Sequence, residues 1–383
     1  MKTKALIESG NNIFAECLVK LTVKSFNVLM IRKSNEEWQL EREEFRKRFN
    51  HSFYDPWFDD HRQKIAELED IAWKAYLKGR KAPRTRKAGH EFKDPEYDLS
   101  IEWYEARQKI LEAQKIHEDP QGPSRVLLIC ASDRNDHTCP GEVSKTYRLV
   151  KLAEETLKEE NVEVEVLNLS HLSSEFSKVI YPCKGCVSTA MPLCHWPCSC
   201  YPNHSLNQTH DWMNDIYPMW VKAHGILIVT PVYWHQAPSA LKLMIDRLVC
   251  ADGGNPDPTT THGKDPEAAK NIELKGWDYP RHLEGRIFSV VVHGDTQGVD
   301  EVKNALTSWL TEMMLIPSGV YGQLGRYIGY YGTYAESHDE LDKDLAFQEE
   351  VRLAARSLAL NITAERSKKL DSQIPDFQDP RPK

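Results

Sequence analysis

The chain has 383 residues, 40% of them hydrophobic and 28% charged, with a formal net charge of −8. That is enough apolar material for one sizeable core plus additional segments, while the acidic balance argues against general nucleic-acid binding through bulk charge. No run of 18 apolar residues occurs, and Met1 to Lys33 lacks a signal peptide's basic head, apolar stretch and small-residue cleavage site, so the expectation is a cytoplasmic protein with no membrane span.

Ser34 to Phe49 is predicted as a charged helix, with Ser34 or Asn35 capping it ahead of Glu36 and Glu37. A second helix is predicted from about Pro56 to Leu77, Pro56 suiting its first turn. A third runs from Ser100 to Ile116, with Trp103, Ile110 and Leu111 on its apolar side. Between the last two, Arg80-Lys81-Ala82-Pro83-Arg84-Thr85-Arg86-Lys87 is a basic, Pro-broken stretch. A solvated linker explains it better than an anionic partner, because it is short and the chain is acidic. Three helices without a continuous apolar face make a poor independent core. Residues 1–121 are therefore expected to form a helical N-terminal arm laid across the main domain or a partner subunit.

From Arg125 the pattern changes to alternating strands and helices. Val126 to Ala131 is a short apolar strand, Glu142 to Glu159 a helix, and Val162 to Leu169 a strand with one more exposed face. A helix around Asp211 to Lys222 precedes the third strand, Gly225 to Thr230. Ile287 to His293 is the fourth strand, followed by a helix over Val299 to Met314. A fifth strand starts near Ile316, and a long helix from about Asp339 to Leu360 closes the domain. Repeated βα units imply an α/β fold, a doubly wound parallel sheet with helices on both faces. The domain spans 122–368, and the Pro-containing tail over 369–383 is expected to be flexible.

Ligands of such sheets bind outside the carboxyl ends of the strands, so three loops are candidates. After strand one, Cys130-Ala131-Ser132-Asp133-Arg134-Asn135 leads to Ser144-Lys145-Thr146. Ser132, Ser144 and Thr146 bring hydroxyls, Arg134 and Lys145 bring charge, and a helix start brings free amides, a set suited to phosphate. A capped helix beside an exposed basic residue has the same composition. The stretch has neither a P-loop lysine pattern nor a Gly-x-Gly-x-x-Gly turn, which counts against a nucleotide triphosphatase or a Rossmann dinucleotide domain. After strand three, Thr230-Pro231-Val232-Tyr233-Trp234 forms an aromatic turn short of charge, suited to a flat conjugated ligand. After strand four, His293-Gly294-Asp295-Thr296-Gln297-Gly298 allows close backbone approach and hydrogen bonding to a heterocycle. In a five-stranded sheet ordered 2-1-3-4-5 these loops share one edge, with phosphate at the first and a ring between the other two: the arrangement of a bound FMN.

These motifs, with Lys242 and Asp246-Arg247, resemble the flavodoxin-like NADPH-dependent FMN reductases over roughly residues 124–363. The resemblance implies that Ser132, Arg134, Ser144, Lys145 and Thr146 hold the FMN phosphate. It implies that Pro231, Val232, Tyr233 and Trp234 line the isoalloxazine, and that Gly294, Asp295, Thr296 and Gln297 reach the ring's polar edge. The long insertion from Asn135 to Val143 departs from the family pattern at the phosphate loop, Arg134 above all. The implied activity is an FMN-dependent NAD(P)H oxidoreductase reducing a small acceptor such as a flavin, a quinone, a nitro- or azo-aromatic or a metal oxyanion. His235, beside the turn, is a candidate proton donor to a reduced product, and equally a solvent-facing histidine with no such task. Lys242 and Asp246 are four apart and suited to pairing across a helix turn.

Cys183, Cys186, Cys194, Cys198 and Cys200 crowd one loop. Cys183-Lys184-Gly185-Cys186 resembles the Cys-x-x-Cys start of iron–sulfur flavoproteins, but the remaining spacing is not ferredoxin-like. Three readings stay open: ligation of Zn or an iron–sulfur cluster, thiols at the flavin pocket, and structural buried cysteines. The first would make the chain an electron-transfer or redox-sensing flavoprotein. Tyr327, Tyr330, Tyr331 and Tyr334 either reach across a subunit interface or pack under the final helix. A homodimer or homotetramer is expected, since such reductases often build their sites between subunits.

Overall fold

A computed structural model describes residues 39–139 and 141–368. The beginning of the first predicted helix, Cys17 and the expected tail lie outside those residues. By compactness the chain divides at Lys78/Gly79.

In the first unit, α1 (Arg42–His51) and α2 (Arg62–Lys78) are joined through a 3-10 turn over Pro56–His61. Asp55 starts that turn by accepting a hydrogen bond from the Trp57 amide at 2.9 Å. The two helices meet through aromatic rings, with Phe45 packed 5.1 Å from both Trp73 and Tyr76. The buried Glu69 pairs with Arg42.

In the second unit, β1 (Thr85–Lys87) and β2 (Asp98–Ser100) form an antiparallel ribbon, so part of the basic stretch is a strand rather than a linker. α3 (Ile101–Glu118) follows directly, and Ile110 and Ala113 enter the main core. Trp103 donates from Nε1 to the Pro197 carbonyl at 2.8 Å. Residues 79–121, expected in the arm, therefore pack with the sheet. Their apolar positions needed the loop around Pro197 to complete a face, and that loop is distant in sequence.

The main sheet contains β3 (Arg125–Cys130), β4 (Glu163–Asn168), β5 (Gly225–Pro231), β6 (Ile287–Gly294), β7 (Ile316–Pro317) and β8 (Gln323–Tyr327). All pair in parallel, in the order β4-β3-β5-β6, with β7 and then β8 beside β6. This is the expected 2-1-3-4-5 order of an α/β, flavodoxin-like fold. The fifth position, however, is shared by two short strands. The Ser318 amide still donates to the Phe288 carbonyl at 2.9 Å, Gly319 then leaves the strand conformation (φ +94°), and pairing resumes at Gln323. β5 and β6 are buried at every residue, as continuous apolar runs in a two-sided sheet require.

Helices cover both faces: α4 (Lys145–Glu159), α5 (Met213–Lys222), α6 (Ser239–Arg247), α7 (Pro266–Leu274), α8 (Val299–Glu312), α9 (Tyr334–Lys343) and α10 (Leu345–Arg366). One layer of core joins α4 and α10 to the sheet; the other joins α3, α5, α6 and α8 to its opposite face. The predicted closing helix is two helices. Asp344 leaves helical geometry (ψ 69°) and its side chain caps α10 through the Phe347 amide at 3.0 Å. Among the described residues no helix is long and apolar enough to cross a membrane.

Candidate functional site

The three predicted loops meet at the carboxyl edge of β3, β5 and β6. Parallel pairing in register puts these strand ends side by side, from Cys130 against Val229 to Pro231 against His293. The Ser132 hydroxyl lies 3.5 Å from the Tyr233 hydroxyl, joining the first loop to the second. The Val232 amide donates to the His293 carbonyl at 3.0 Å, joining the second to the third. Thr146 Oγ1 and His293 Nε2 are 3.0 Å apart in a buried contact that ties the start of α4 to the end of β6.

At the first loop Ser132, Ser144 and Thr146 are buried. Ser132 Oγ accepts from the Arg134 amide at 3.2 Å, and Ser144 caps α4 by accepting from the Tyr147 amide at 3.0 Å. Lys145 Nζ donates to Ser337 at 2.7 Å. Burial lowers the Lys145 pKa, Arg134 adds to that, and Asp295 opposes it, so all three charges share this corner of the site. The described start of the insertion is held in place: Asn135 Nδ2 donates to Ser170 and Ser174 at 2.8 Å each, and Thr138 closes a turn on the Asn135 carbonyl. Glu142 in that insertion lies 3.7 Å from Arg134.

The second loop is the most constrained. Tyr233 and Gln236 exchange both backbone hydrogen bonds at 2.9 Å, which leaves Trp234 and His235 alone at the tip. Two-residue tips favour the type I′ turn, with left-handed backbone at both residues, and φ is +45° at Trp234 and +63° at His235. Neither is glycine, so strain is stored here and the surroundings must hold it. They do. Val232 is tied to β6, and Gly298 of the third loop (φ +107°) abuts His235 so closely that a Cβ there would stand 2.8 Å from the His235 Cα. The outcome is a Trp234 side chain 93% exposed at the end of a rigid strand. His235 is exposed too, and Tyr233 is half-buried, its phenol pKa raised by burial.

At the third loop Gly294 packs against Val232, while Asp295 and Gln297 are exposed and Thr296 is half-buried. His293, at the end of β6, is buried and joins all three loops. Burial, with Lys145 adding to it, pushes its pKa down to about 3, so the ring is neutral. Its Nδ1 has no hydrogen-bond partner among the described residues. His293 and Gly298 stood inside the quoted motif without being assigned a role. A histidine ending an apolar strand was the available signal for the first; the second needed the tip's backbone.

The cysteines gather elsewhere. α6 begins just after the turn, and its last residue, Arg247, stacks over Tyr201 at 4.7 Å. Nine helical residues separate these ends by about 12 Å, so the cysteine loop is anchored away from the turn. Arg247 and Asp211 form a fully buried pair, with further donation from Arg247 to the Tyr181 carbonyl at 3.0 Å. Lys242 pairs with Asp246 one helical turn on. Cys194 and Cys198 are buried, and Cys183, Cys186 and Cys200 partly so. Among the described residues no group of three or more His, Cys, Asp or Glu side chains is arranged to hold a metal ion, so the expected Zn or iron–sulfur ligation by these five cysteines finds no support. Of the tyrosines, Tyr330 donates to Asp344 at 3.2 Å and packs against the core, while Tyr327 and Tyr331 are exposed; the Tyr334 side chain lies outside what the structure describes.

Among solved structures, RosB with a bound 8-demethyl-8-formylriboflavin-5'-phosphate intermediate is 14% identical, covering 64% of this chain and 81% of its own, at a TM-score of 0.44. An FMN-dependent NADH-azoreductase from Bacillus anthracis in complex with FMN is 16% identical, covering 62% of this chain and 100% of its own, at 0.34. An oxidoreductase from Corynebacterium diphtheriae is 16% identical, covering 63% and 97%, also at 0.34. Among curated proteins none matches the chain. The sequence profile of the NADPH-dependent FMN reductases matches residues 124–323, more than half the chain and all three loops. The chain belongs to the NADPH-dependent FMN reductase family.

Proposed function

We propose that the chain is an FMN-dependent NAD(P)H oxidoreductase whose flavin lies across the carboxyl edge of β3, β5 and β6. The observation that carries this is the strained turn at Trp234 and His235, locked by Val232, His293 and Gly298, which presents an exposed indole next to a hydroxyl- and amide-rich helix start. The donor set fits FMN. Ser132, the first-turn amides of α4, Arg134 and Lys145 match a phosphate's demand for donors and positive charge. Tyr233 and Trp234 match a ring's demand for an apolar shelf. The unpartnered His293 Nδ1 is a buried polar atom behind the third loop, where Gly294 leaves the backbone approachable.

Bound there, FMN supplies two-electron transfer between a reduced nicotinamide and an acceptor that use the same face in turn. The chain's own part is to orient and to polarise. Trp234 and Tyr233 would fix the plane of the ring, Thr296 and Gln297 would hydrogen-bond its polar edge, and Ser132 with the α4 amides would hold the phosphate. Thr146 acts through His293, holding the end of β6. His235 is exposed at the tip and free to pass a proton to a reduced product. Nothing among the described residues favours the alternative of a cysteine-ligated redox centre.

The acceptor classes in keeping with an open aromatic shelf are free flavins, quinones and nitro- or azo-aromatics. A homodimer is part of the proposal, with exposed Tyr327 and Tyr331 at the contact, as is a cytoplasmic location. The test is NAD(P)H oxidation by purified, FMN-loaded protein with a panel of these acceptors. Parallel double-reciprocal plots with at least one acceptor are expected. Oxidation no faster than with free FMN, for every acceptor, would reject the proposal.

A further inference from the structure

We propose that Cys186 and Cys200 are a reversible dithiol–disulfide pair, oxidised by a hydroperoxide, at a site separate from the flavin edge. Their sulfurs are 3.3 Å apart, bringing together residues 14 apart in sequence. Both are partly exposed, whereas Cys130, Cys194, Cys198 and Cys250 are buried, and Cys139, though exposed, lies in the first loop's insertion. Among the described cysteines this pair combines sulfur–sulfur contact with access to solvent. A disulfide requires the sulfurs to close by a little over 1 Å, to about 2.05 Å, a movement within reach of side-chain rotation.

The loop backbone is already held in the position this requires. Tyr201 donates to the Pro182 carbonyl at 2.8 Å and lies under Arg247, while the Trp196 amide donates to Asn255 at 2.8 Å. These contacts bracket both cysteines, so the two sulfurs are kept together rather than meeting by chance, which raises the effective concentration of one thiol at the other. Cys186 opens a short 3-10 turn after Gly185, itself in left-handed backbone (φ +64°), and like Cys200 it packs against the main core while staying partly exposed.

The Cys186 thiolate attacks a hydroperoxide oxygen; an S–O bond forms, the O–O bond breaks, and the leaving oxygen departs as an alcohol or water after taking a proton. The resulting sulfenic acid is attacked by the Cys200 sulfur, which gives up its proton. The S–S bond forms, the S–O bond breaks, and water leaves. Two thiols lose two electrons, and one hydroperoxide is reduced. A dithiol reductant reverses the step by exchange.

The experiment uses the full chain, reduced and desalted, with zinc and iron measured on the same sample. It is treated with hydrogen peroxide, trapped with an alkylating reagent, and mapped by non-reducing peptide mass spectrometry. The expected result is a Cys186–Cys200 linked peptide, about 2 Da lighter than the two free peptides together, restored by dithiothreitol. Cys186 and Cys200 should lose alkylation roughly tenfold faster than buried Cys250. C186S and C200S should each abolish the link, while C198S, altering a buried neighbour, should retain it; circular dichroism shows which variants are folded. A link between Cys198 and Cys200, oxidation of Cys186 only to an uncoupled acid, or stoichiometric metal that must be removed before the thiols react would each overturn the proposal. Because the readout needs no flavin, its failure leaves the FMN reading untouched.

Discussion

The third loop makes a sharp demand at Gly298. Replacing it with alanine imposes two costs: a side chain at φ +107°, and a Cβ 2.8 Å from the His235 Cα and 3.0 Å from its carbonyl oxygen. The first cost is about 1–3 kcal/mol. The second adds overpacking of about 1–3 kcal/mol, and the tip cannot absorb it, because Trp234 and His235 already occupy left-handed backbone. Gly276→Ala is the matched control. Its φ is +104°, with nothing within 4 Å of the added Cβ, so it carries the backbone cost alone. Urea unfolding without FMN should show both variants destabilised, Gly298→Ala more. FMN titration by fluorescence quenching should show Gly276→Ala unchanged and Gly298→Ala weakened about tenfold or more, the effect of some 1.4 kcal/mol at the ring. Wild-type FMN affinity in Gly298→Ala, with the expected loss of stability, would refute the claim that this contact aims the flavin shelf.

Trp234→Ala removes an exposed indole, so its unfolding midpoint should stay within error of wild type while FMN binding weakens by about 0.5–1.5 kcal/mol, roughly two- to tenfold. Equal binding would place the ring elsewhere. Asp211→Asn strands the buried Arg247 charge and should cost about 3–5 kcal/mol, read as a lowered urea midpoint; a loss under 1 kcal/mol would show that water reaches the pair. Burial holds His117 and His293 down to about pKa 3, and His195 and His224 to about 4. These folded values lie below the unfolded one, so the neutral rings contribute stability that is complete above about pH 6.5 and falls away toward pH 3–4. The urea midpoint should drop steadily from pH 7 to 5. His224→Gln should flatten that slope, since His224 Nδ1 accepts from the Arg125 amide and Nε2 donates to the His117 carbonyl, fixing a neutral ring; an unchanged slope would exclude His224 from it.

Much of the sheet was legible because buried parallel strands write themselves as unbroken apolar runs. Gly225–Pro231 and Ile287–Gly294 were placed within a residue, and with them the edge on which the three loops meet. What could not be read depended on contacts distant in sequence. α3 shows no continuous apolar face of its own, and its partners around Pro197 could not be inferred from its periodicity. The closing helix looked continuous because Asp344 is an ordinary helix-tolerated residue until its side chain turns to cap Phe347. At the site, Pro-Val-Tyr-Trp announced an aromatic turn, but not that its tip is left-handed at two non-glycine residues, nor that Gly298 is what permits it. The cysteine loop was the least legible. Its spacing left metal ligation, flavin-pocket thiols and buried structural cysteines all open, while the fold brings Cys186 and Cys200 into sulfur contact and buries Cys194 and Cys198.

The central claim, an FMN site that accepts electrons from a nicotinamide at the edge of β3, β5 and β6, is tested most directly by anaerobic mixing. Protein loaded with FMN and freed of excess by gel filtration is mixed with NADPH or NADH while the flavin's visible absorbance is followed. Retention of about one FMN per chain and bleaching of its absorbance, slowed or lost in Trp234→Ala, are predicted. A protein that releases all its FMN on filtration, or keeps it fully oxidised with both nicotinamides, would contradict the account.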